Sequence, residues 1–239
     1  MSRNSINTSN LLLRSLDNNI AEILEKNFTR IDLHRERYFY RGGERIEKLY
    51  FPEGGIISCV VANNGNRTEV AIIGNEGVTG IGALLGDEIS HYHTFVQVNG
   101  STALEIGADQ VREAMEEYPE FHSLIMRYAQ YTLLQSTFGI VTVSELLLEG
   151  RLARWLLMCH DRVESDDVYI THEFMAMMIS AQRSGVTIAL HSLEGAGMIR
   201  SKRGCVTIRD RAKLMELAGD TYGVPEAAYR ELIAPFGKP

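Results

Sequence analysis

The sequence predicts an α+β chain in two halves: an N-terminal β-roll of the jelly-roll kind and a C-terminal winged helix-turn-helix, joined by one long helix. Three observations predict it. Short β runs alternate with turn signals from Thr29 to Glu105, a texture of closed all-β architectures. A strongly apolar helical stretch follows from Pro119 to Leu148. Residues 171–204, THEFMAMMISAQRSGVTIALHSLEGAGMIRSKRG, then read as two short helices and a basic hairpin. The expected boundaries are a β-roll over 1–118, a connecting helix over 119–148, and a winged helix-turn-helix with a C-terminal tail over 149–239.

The elements follow in order. Leu11, Leu12, Leu16, Ile20, Ile23 and Leu24 fall in phase and predict one helix over 11–26. Turn signals at Arg41-Gly42-Gly43, Pro52-Glu53-Gly54-Gly55, Asn63-Asn64-Gly65-Asn66 and Gly74-Asn75-Glu76-Gly77 separate strands at Lys48–Phe51, Ile56–Val61 and Glu69–Ile73. Asn64-Gly65 is a strong hairpin signal, because both residues tolerate positive φ. Strands at His93–Val98 and Ser101–Ile106 complete the roll, and Ala108–Glu117 is helical. Pro119 suits the first turn of the long helix, where its missing N–H costs nothing. Gly150 marks the break before a helix at Arg151–Arg162, and Val168–Ile170 is a short strand.

Within 171–204, Thr171 is a helix N-cap. Phe174, Met175, Met178 and Ile179 form one apolar stripe, and Val186, Ala189, Leu190 and Leu193 form a second. Gln182, Arg183, Ser184, Thr187 and His191 share the opposite face of the second helix. Small residues at Ala176 and Gly185 suit a close, steep crossing. This is the pattern of a helix-turn-helix, in which the second helix offers polar side chains to base edges in the major groove. β runs at Met198-Ile199 and Cys205–Ile208 flank Arg200-Ser201-Lys202-Arg203-Gly204 as a wing.

Charge supports a nucleic-acid surface. The chain carries a net charge of −7, yet between 171 and 213 seven basic residues stand against Glu173, Glu194 and Asp210. A basic island on an acidic chain is the footprint of one module that meets DNA. Arg183 matches guanine bidentately and Gln182 suits adenine; Ser184 and Thr187 complete the base-contact set. Thr171, His191, Arg200, Lys202 and Arg203 are the expected phosphate contacts. No apolar run reaches the length of a membrane span, and the N-terminus lacks the core of a signal peptide, so a cytoplasmic protein without a membrane partner is expected. Three dispersed cysteines, Cys59, Cys159 and Cys205, form no CxxC pair and are expected as buried thiols.

RLARWLLMCHDR at 151–162, together with the 171–204 run, resembles the winged-helix half of CRP/FNR-family transcriptional regulators. IEKLYFPEGGIISCVV and TEVAIIGNEGVTGIGALLG resemble their sensor half, in the branch with an EG.TG...LLG pattern in place of an intact cyclic-nucleotide pocket. The resemblance spans Leu11 to Leu232. It implies a cyclic-nucleotide-binding-like roll, a homodimer on an inverted repeat in double-stranded DNA, and no catalysis. A small-molecule effector and RNA polymerase are further partners that it admits. Family members with an iron–sulfur centre use an N-terminal cysteine cluster; here no cysteine precedes Cys59, and no cofactor is expected. Cyclic-nucleotide members use a Gly-Glu pair for the ribose and an Arg-Ser pair for the phosphate. Residues 74–100 hold Glu76, Asp87 and Glu88 but no Lys or Arg, so cyclic AMP is not expected as the effector.

Near-heptad steps through Leu124, Tyr128, Tyr131, Gln135 and Phe138 predict a two-stranded helix seam; the alternative is one helix buried within a monomer. A rival to the regulator reading is a cupin-like metal enzyme using His91 and His93, which would share one face if both lay on a strand.

Overall fold

The computed structural model describes residues 6–63, 66–100 and 102–238. The predicted first helix is two: α1 (Leu11–Arg14) and α2 (Asn18–Glu25). Asn10 caps α1 by accepting from the Leu13 N–H. The Ser15 hydroxyl bonds back to the Leu11 carbonyl, and Asp17 restarts the chain in an extended N-cap conformation. Polar side chains that compete for backbone partners break a ladder that the apolar pattern alone would continue.

The roll is two antiparallel sheets. One has the order β2 (Tyr38–Tyr40), β6 (His93–Val98), β4 (Ile56–Asn63), β5 (Asn66–Ile73), numbered so that β1 is Thr29–Asp32 and β3 is Lys48–Pro52. The other is β1, β7 (Thr102–Gly107), β3. A four-residue helix, α3 (Ile81–Leu84), lies between β5 and β6. Asn63 and Asn66 are register partners across the β4–β5 hairpin; the Asn64-Gly65 turn signal lies outside the described residues.

After α4 (Ala108–Glu117), α5 runs from Pro119 to Glu145, with Pro119 in its first turn. Its inner face closes the roll. Leu124, Tyr128, Tyr131 and Gln135 are all buried within the chain itself, and Phe138 is half-buried. Four of the five residues expected in a dimer seam are therefore core residues of one monomer. The outward stripe is another set: Leu133, Ile140 and Val143 are exposed, Ile140 by 73%. Both stripes share one helical period, and sequence spacing does not say which of them faces the roll.

The break after α5 falls at Leu146-Leu147, not at Gly150, which lies inside α6 (Leu148–His160). Arg151 explains the early stop. Its Nε and Nη2 donate to the carbonyls of Leu146 and Val143, satisfying acceptors that a helix end leaves open. The DNA-binding half continues with β8 (Asp167–Val168), α7 (His172–Met178), α8 (Arg183–Gly195), β9 (Ile199–Lys202), β10 (Cys205–Ile208) and α9 (Arg211–Ala218). β8, β10 and β9 form a small antiparallel sheet.

The two halves share buried structure. Ile56, Val60, Ile72 and Phe95 of the roll join one apolar cluster with Trp155, Met158, Met175 and Leu190 of the C-terminal half. The tail also crosses back. Tyr229 on α10 (Val224–Leu232) and Phe236 beyond it enter the core formed by the roll and α5. Cys59 and Cys159 are buried, as expected, whereas Cys205 is only half-buried on β10. Burial pushes the Cys59 thiol up to about 11, which suppresses the thiolate.

Candidate nucleic-acid interface

Thr171 caps α7 by accepting from the Phe174 N–H at 3.3 Å. Met175, Met178 and Ile179 are buried beneath it. Phe174, expected in the same stripe, instead sits half-buried under the Arg35 guanidinium of the roll, 4.8 Å from the ring centre. The turn between α7 and α8 is made by Ser180 at φ 52°, with the Ala181 N–H donating to the Ala176 carbonyl at 2.8 Å. Val186, Ala189, Leu190 and Leu193 fix the inner face of α8. Gly185 serves a contact other than the α7 crossing: an added Cβ would lie 2.9 Å from Cδ2 of Leu148 on α6.

α8 starts at Arg183, with Gln182 as an extended N-cap whose side chain makes no capping bond. The first-turn N–H groups are thus left for an external acceptor, and a helix N-terminus favours anions. Gln182, Arg183, Ser184 and His191 are exposed. The Thr187 hydroxyl is already used: it donates to the Arg183 carbonyl at 3.1 Å and meets His172 Nδ1 at 3.0 Å. Its methyl group is what remains to offer. Ile188, one turn beyond Ser184, is 67% exposed and is absent from the base-contact set expected from sequence. An isoleucine stranded outside the core on this face is a candidate thymine-methyl contact. Its signal in the sequence is an aliphatic residue off the Val186–Leu193 stripe.

The wing is the β9–β10 hairpin, with Gly204 at φ 75°. Glu194 holds it against α8 by accepting from the Ser201 N–H at 2.9 Å. Arg183, Arg200, Lys202, Arg203 and Arg209 are all exposed, and none pairs with a described carboxylate. The other two cations of the basic island have partners. Arg211 donates to Asp161 at 2.6 Å, and Lys213 lies 3.4 Å from Asp210. Arg183 at the open N-terminus of α8 and four further cations on and just after the wing, all without a described carboxylate partner, are suited to a polyanion.

The loop after β5 contrasts with this. Glu76 is buried and accepts from Arg162 at 2.7 and 3.0 Å. A Cβ on Gly77 would lie 2.1 Å from the Tyr128 hydroxyl, so side chains of α5 already fill the space against this loop. Glu88 takes the nearby cations Arg45 and Arg112, at 2.8 and 2.9 Å. Arg67 sits on the β4–β5 hairpin opposite Ala62.

The metal reading meets its own geometry. β6 starts at His93, so His91 precedes the strand and alternation does not place both imidazoles on one face. His91 pairs with Asp87 at 2.6 Å, and His93 Nδ1 faces the Gly42 N–H at 3.3 Å. No group of three metal-ligating side chains occurs among the described residues.

A roll, a spanning helix and a winged helix-turn-helix define a DNA-binding regulator. Residues 150–217 match the Crp-like helix-turn-helix domain, and residues 30–118 match the cyclic nucleotide-binding domain. The global nitrogen regulator of Nostoc sp. is 26% identical over 184 residues, covering 73% of this chain and 82% of that protein. Its counterpart from Synechocystis sp. is 24% identical over 194 residues, covering 76% and 85%. Among solved structures, FixK2 from Bradyrhizobium japonicum superposes with a TM-score of 0.69 at 15% identity, over 80% of this chain and 98% of that one. A CRP-family transcriptional regulator from Thermus thermophilus gives 0.66 at 22%, over 80% and 97%. The chain belongs to the CRP/FNR family of DNA-binding transcriptional regulators. That family is not one of enzymes, and the cupin-like alternative has no support. No helix among the described residues is long and apolar enough to cross a membrane.

Proposed function

We propose that the chain acts as a homodimer that reads an inverted repeat, with one α8 in each of two successive major grooves. Arg183 carries this reading: it opens α8, is exposed, and has no partner among the described carboxylates. Gln182, Arg183, Ser184, the Thr187 methyl and Ile188 face bases. Arg200, Lys202 and Arg203 on the wing, with His191, meet phosphates; Thr171 supports them by holding the start of α7. Two such helices in a twofold dimer sit about 34–36 Å apart. The outward stripe of α5, Leu133, Ile140 and Val143, supplies the partner face at near-heptad spacing.

The roll does not take a cyclic nucleotide. A buried cyclic phosphate needs a cation or clustered N–H donors, and the buried cation beside this loop, Arg162, is committed to Glu76. Calorimetry with cyclic AMP and cyclic GMP tests this: no binding at micromolar levels is expected, and heat on saturable binding would overturn it.

The DNA reading is tested by enriching sites from random duplexes with the full-length protein. An inverted repeat, two chains per duplex, and an affinity that falls steeply with salt are expected. Enrichment of no motif, or one chain per site, would contradict it.

A further inference from the structure

A cavity of about 500 Å³ lies where β5, α5, α6 and the end of α7 meet. That is the size of an ordinary small-molecule site. No residue of 74–100 lines it, so it is separate from the loop that corresponds to a cyclic-nucleotide pocket. Ile72, Trp155, Met158 and Met178 make its walls apolar, and the exposed Ile140 and Val143, shared with the outward stripe of α5, complete them.

Its charged residues are Glu69, Arg151 and Arg154. Arg154 is only 7% exposed, yet it bonds to carbonyls alone, those of Thr221 at 2.8 Å and Gln135 at 3.3 Å. Arg151 likewise meets the carbonyls of Leu146 and Val143. Neither guanidinium has an ion-pair partner among the described carboxylates. Carbonyl dipoles satisfy hydrogen bonds but leave the buried Arg154 charge, beside half-buried Arg151, with no carboxylate in contact; buried Glu226 acts on Arg154 only at longer range. Glu69 compensates in part: its Oε2 accepts from the Trp155 indole at 2.7 Å, its Oε1 has no hydrogen-bond partner among the described residues, and burial pushes its pKa up to about 7, so the carboxyl is about half protonated at neutral pH.

We propose that this cavity binds an amphipathic organic monoanion, its head group drawn to Arg151 and Arg154 and its apolar body laid along Trp155 and Met158. The occupant touches both halves of the molecule, since β5 and α5 form one side and α6 and α7 the other. A ligand that favours this arrangement of the halves shifts the population that meets DNA. That coupling rests on the DNA-binding reading; the binding itself does not.

Trp155 is the single tryptophan of the chain, so its emission reports on the cavity directly. The full-length protein is titrated with decanoate, decylamine and decanol, each up to about 1 mM, a range suited to weak small-molecule affinities. Decanoate should change the emission saturably; decylamine and decanol should not. Arg151→Gln should weaken decanoate about tenfold, the scale of one charge-assisted hydrogen bond. Gly139 lines the cavity and an added Cβ there meets nothing within 4 Å, so Gly139→Leu should fill the space and abolish the response while the protein stays folded by circular dichroism. No saturable response, an equal response to all three probes, or full binding by both variants would overturn the site. So would a wild type silent to decanoate whose Gly139→Leu variant turns monomeric, which would make the cavity a seat for a second copy. Decanoate binding that leaves DNA affinity unmoved would sink only the coupling. A protein that binds decanoate but never DNA would instead sink the regulator reading.

Discussion

Arg162, just past the end of α6, forms an ion pair with Glu76 of the roll, and both side chains are fully buried at 2.7 Å. They lie 86 residues apart in sequence. Burial works against the Arg162 charge, but the Glu76 carboxylate outweighs it and holds the guanidinium protonated. The surroundings complete the pair. Arg162 also donates to the Tyr131 hydroxyl and the Met158 carbonyl. Glu76 accepts from the Gly74 N–H, and its backbone carbonyl accepts from the Tyr229 hydroxyl. Roll, long helix, DNA-binding half and tail thus converge on one buried charge pair.

Removing one partner strands the other charge. Arg162→Met should cost about 3–5 kcal/mol in urea unfolding, whereas the Glu76→Leu/Arg162→Met double variant should recover much of that loss. Equal losses in the single and double variants would show that the pair does not hold the halves together.

The outward stripe of α5 predicts where the dimer comes apart. Ile140→Asp should give soluble monomer in sedimentation, because the side chain is exposed in the monomer and its replacement by a charge disturbs no monomer core. Tyr131→Asp should instead unfold the chain, since Tyr131 is 1% exposed and packs on Tyr128, Tyr229 and Phe236. A fully dimeric Ile140→Asp protein would move the interface elsewhere.

Glu69 gives stability a pH signature. Its folded pKa, about 7, is above the ordinary glutamate value. The folded state therefore holds a proton that the unfolded state has released between roughly pH 4.5 and 7. Its contribution is present below that window and is lost as pH rises through it. Glu69→Gln should raise the melting temperature at pH 8 and do so far less at pH 5. A gain that is the same at both pH values would contradict the buried, protonated carboxyl.

The α7–α8 turn places Ser180 at φ 52°, where an L side chain is strained. Ser180→Gly should be neutral or stabilising by about 1 kcal/mol by thermal denaturation; a loss greater than that would give its weak hydroxyl contact with Thr68 a structural role.

The helix-turn-helix and wing are legible in the sequence because their signals are local: a cap, two stripes, a polar face and a basic turn. The strands from β3 to β7 are legible because turns punctuate them, whereas β1 and β2, of four and three residues, are too short to show alternation. The orientation of α5 is not. Tyr128 and Tyr131 fit a heptad as well as Leu133 and Ile140 do, and only the roll decides which stripe turns inward. The tail is equally opaque, since Tyr229 and Phe236 gain their meaning from partners more than 90 residues away. The Arg162–Glu76 pair joins residues that look ordinary in their own neighbourhoods. Thr187 lies by spacing on the face expected to read bases, but His172, on the other helix, meets its hydroxyl.

The central claim is that α8 reads DNA bases while the wing holds phosphate. Fluorescence anisotropy on the enriched inverted repeat and on single-base variants of it tests that claim most directly. Arg183→Ala should cost about 1–3 kcal/mol and erase the preference at one base pair per half-site. Lys202→Ala should weaken every duplex alike and lower the salt slope by about one per contact. An Arg183→Ala protein that keeps the full site preference of the wild type would contradict the account.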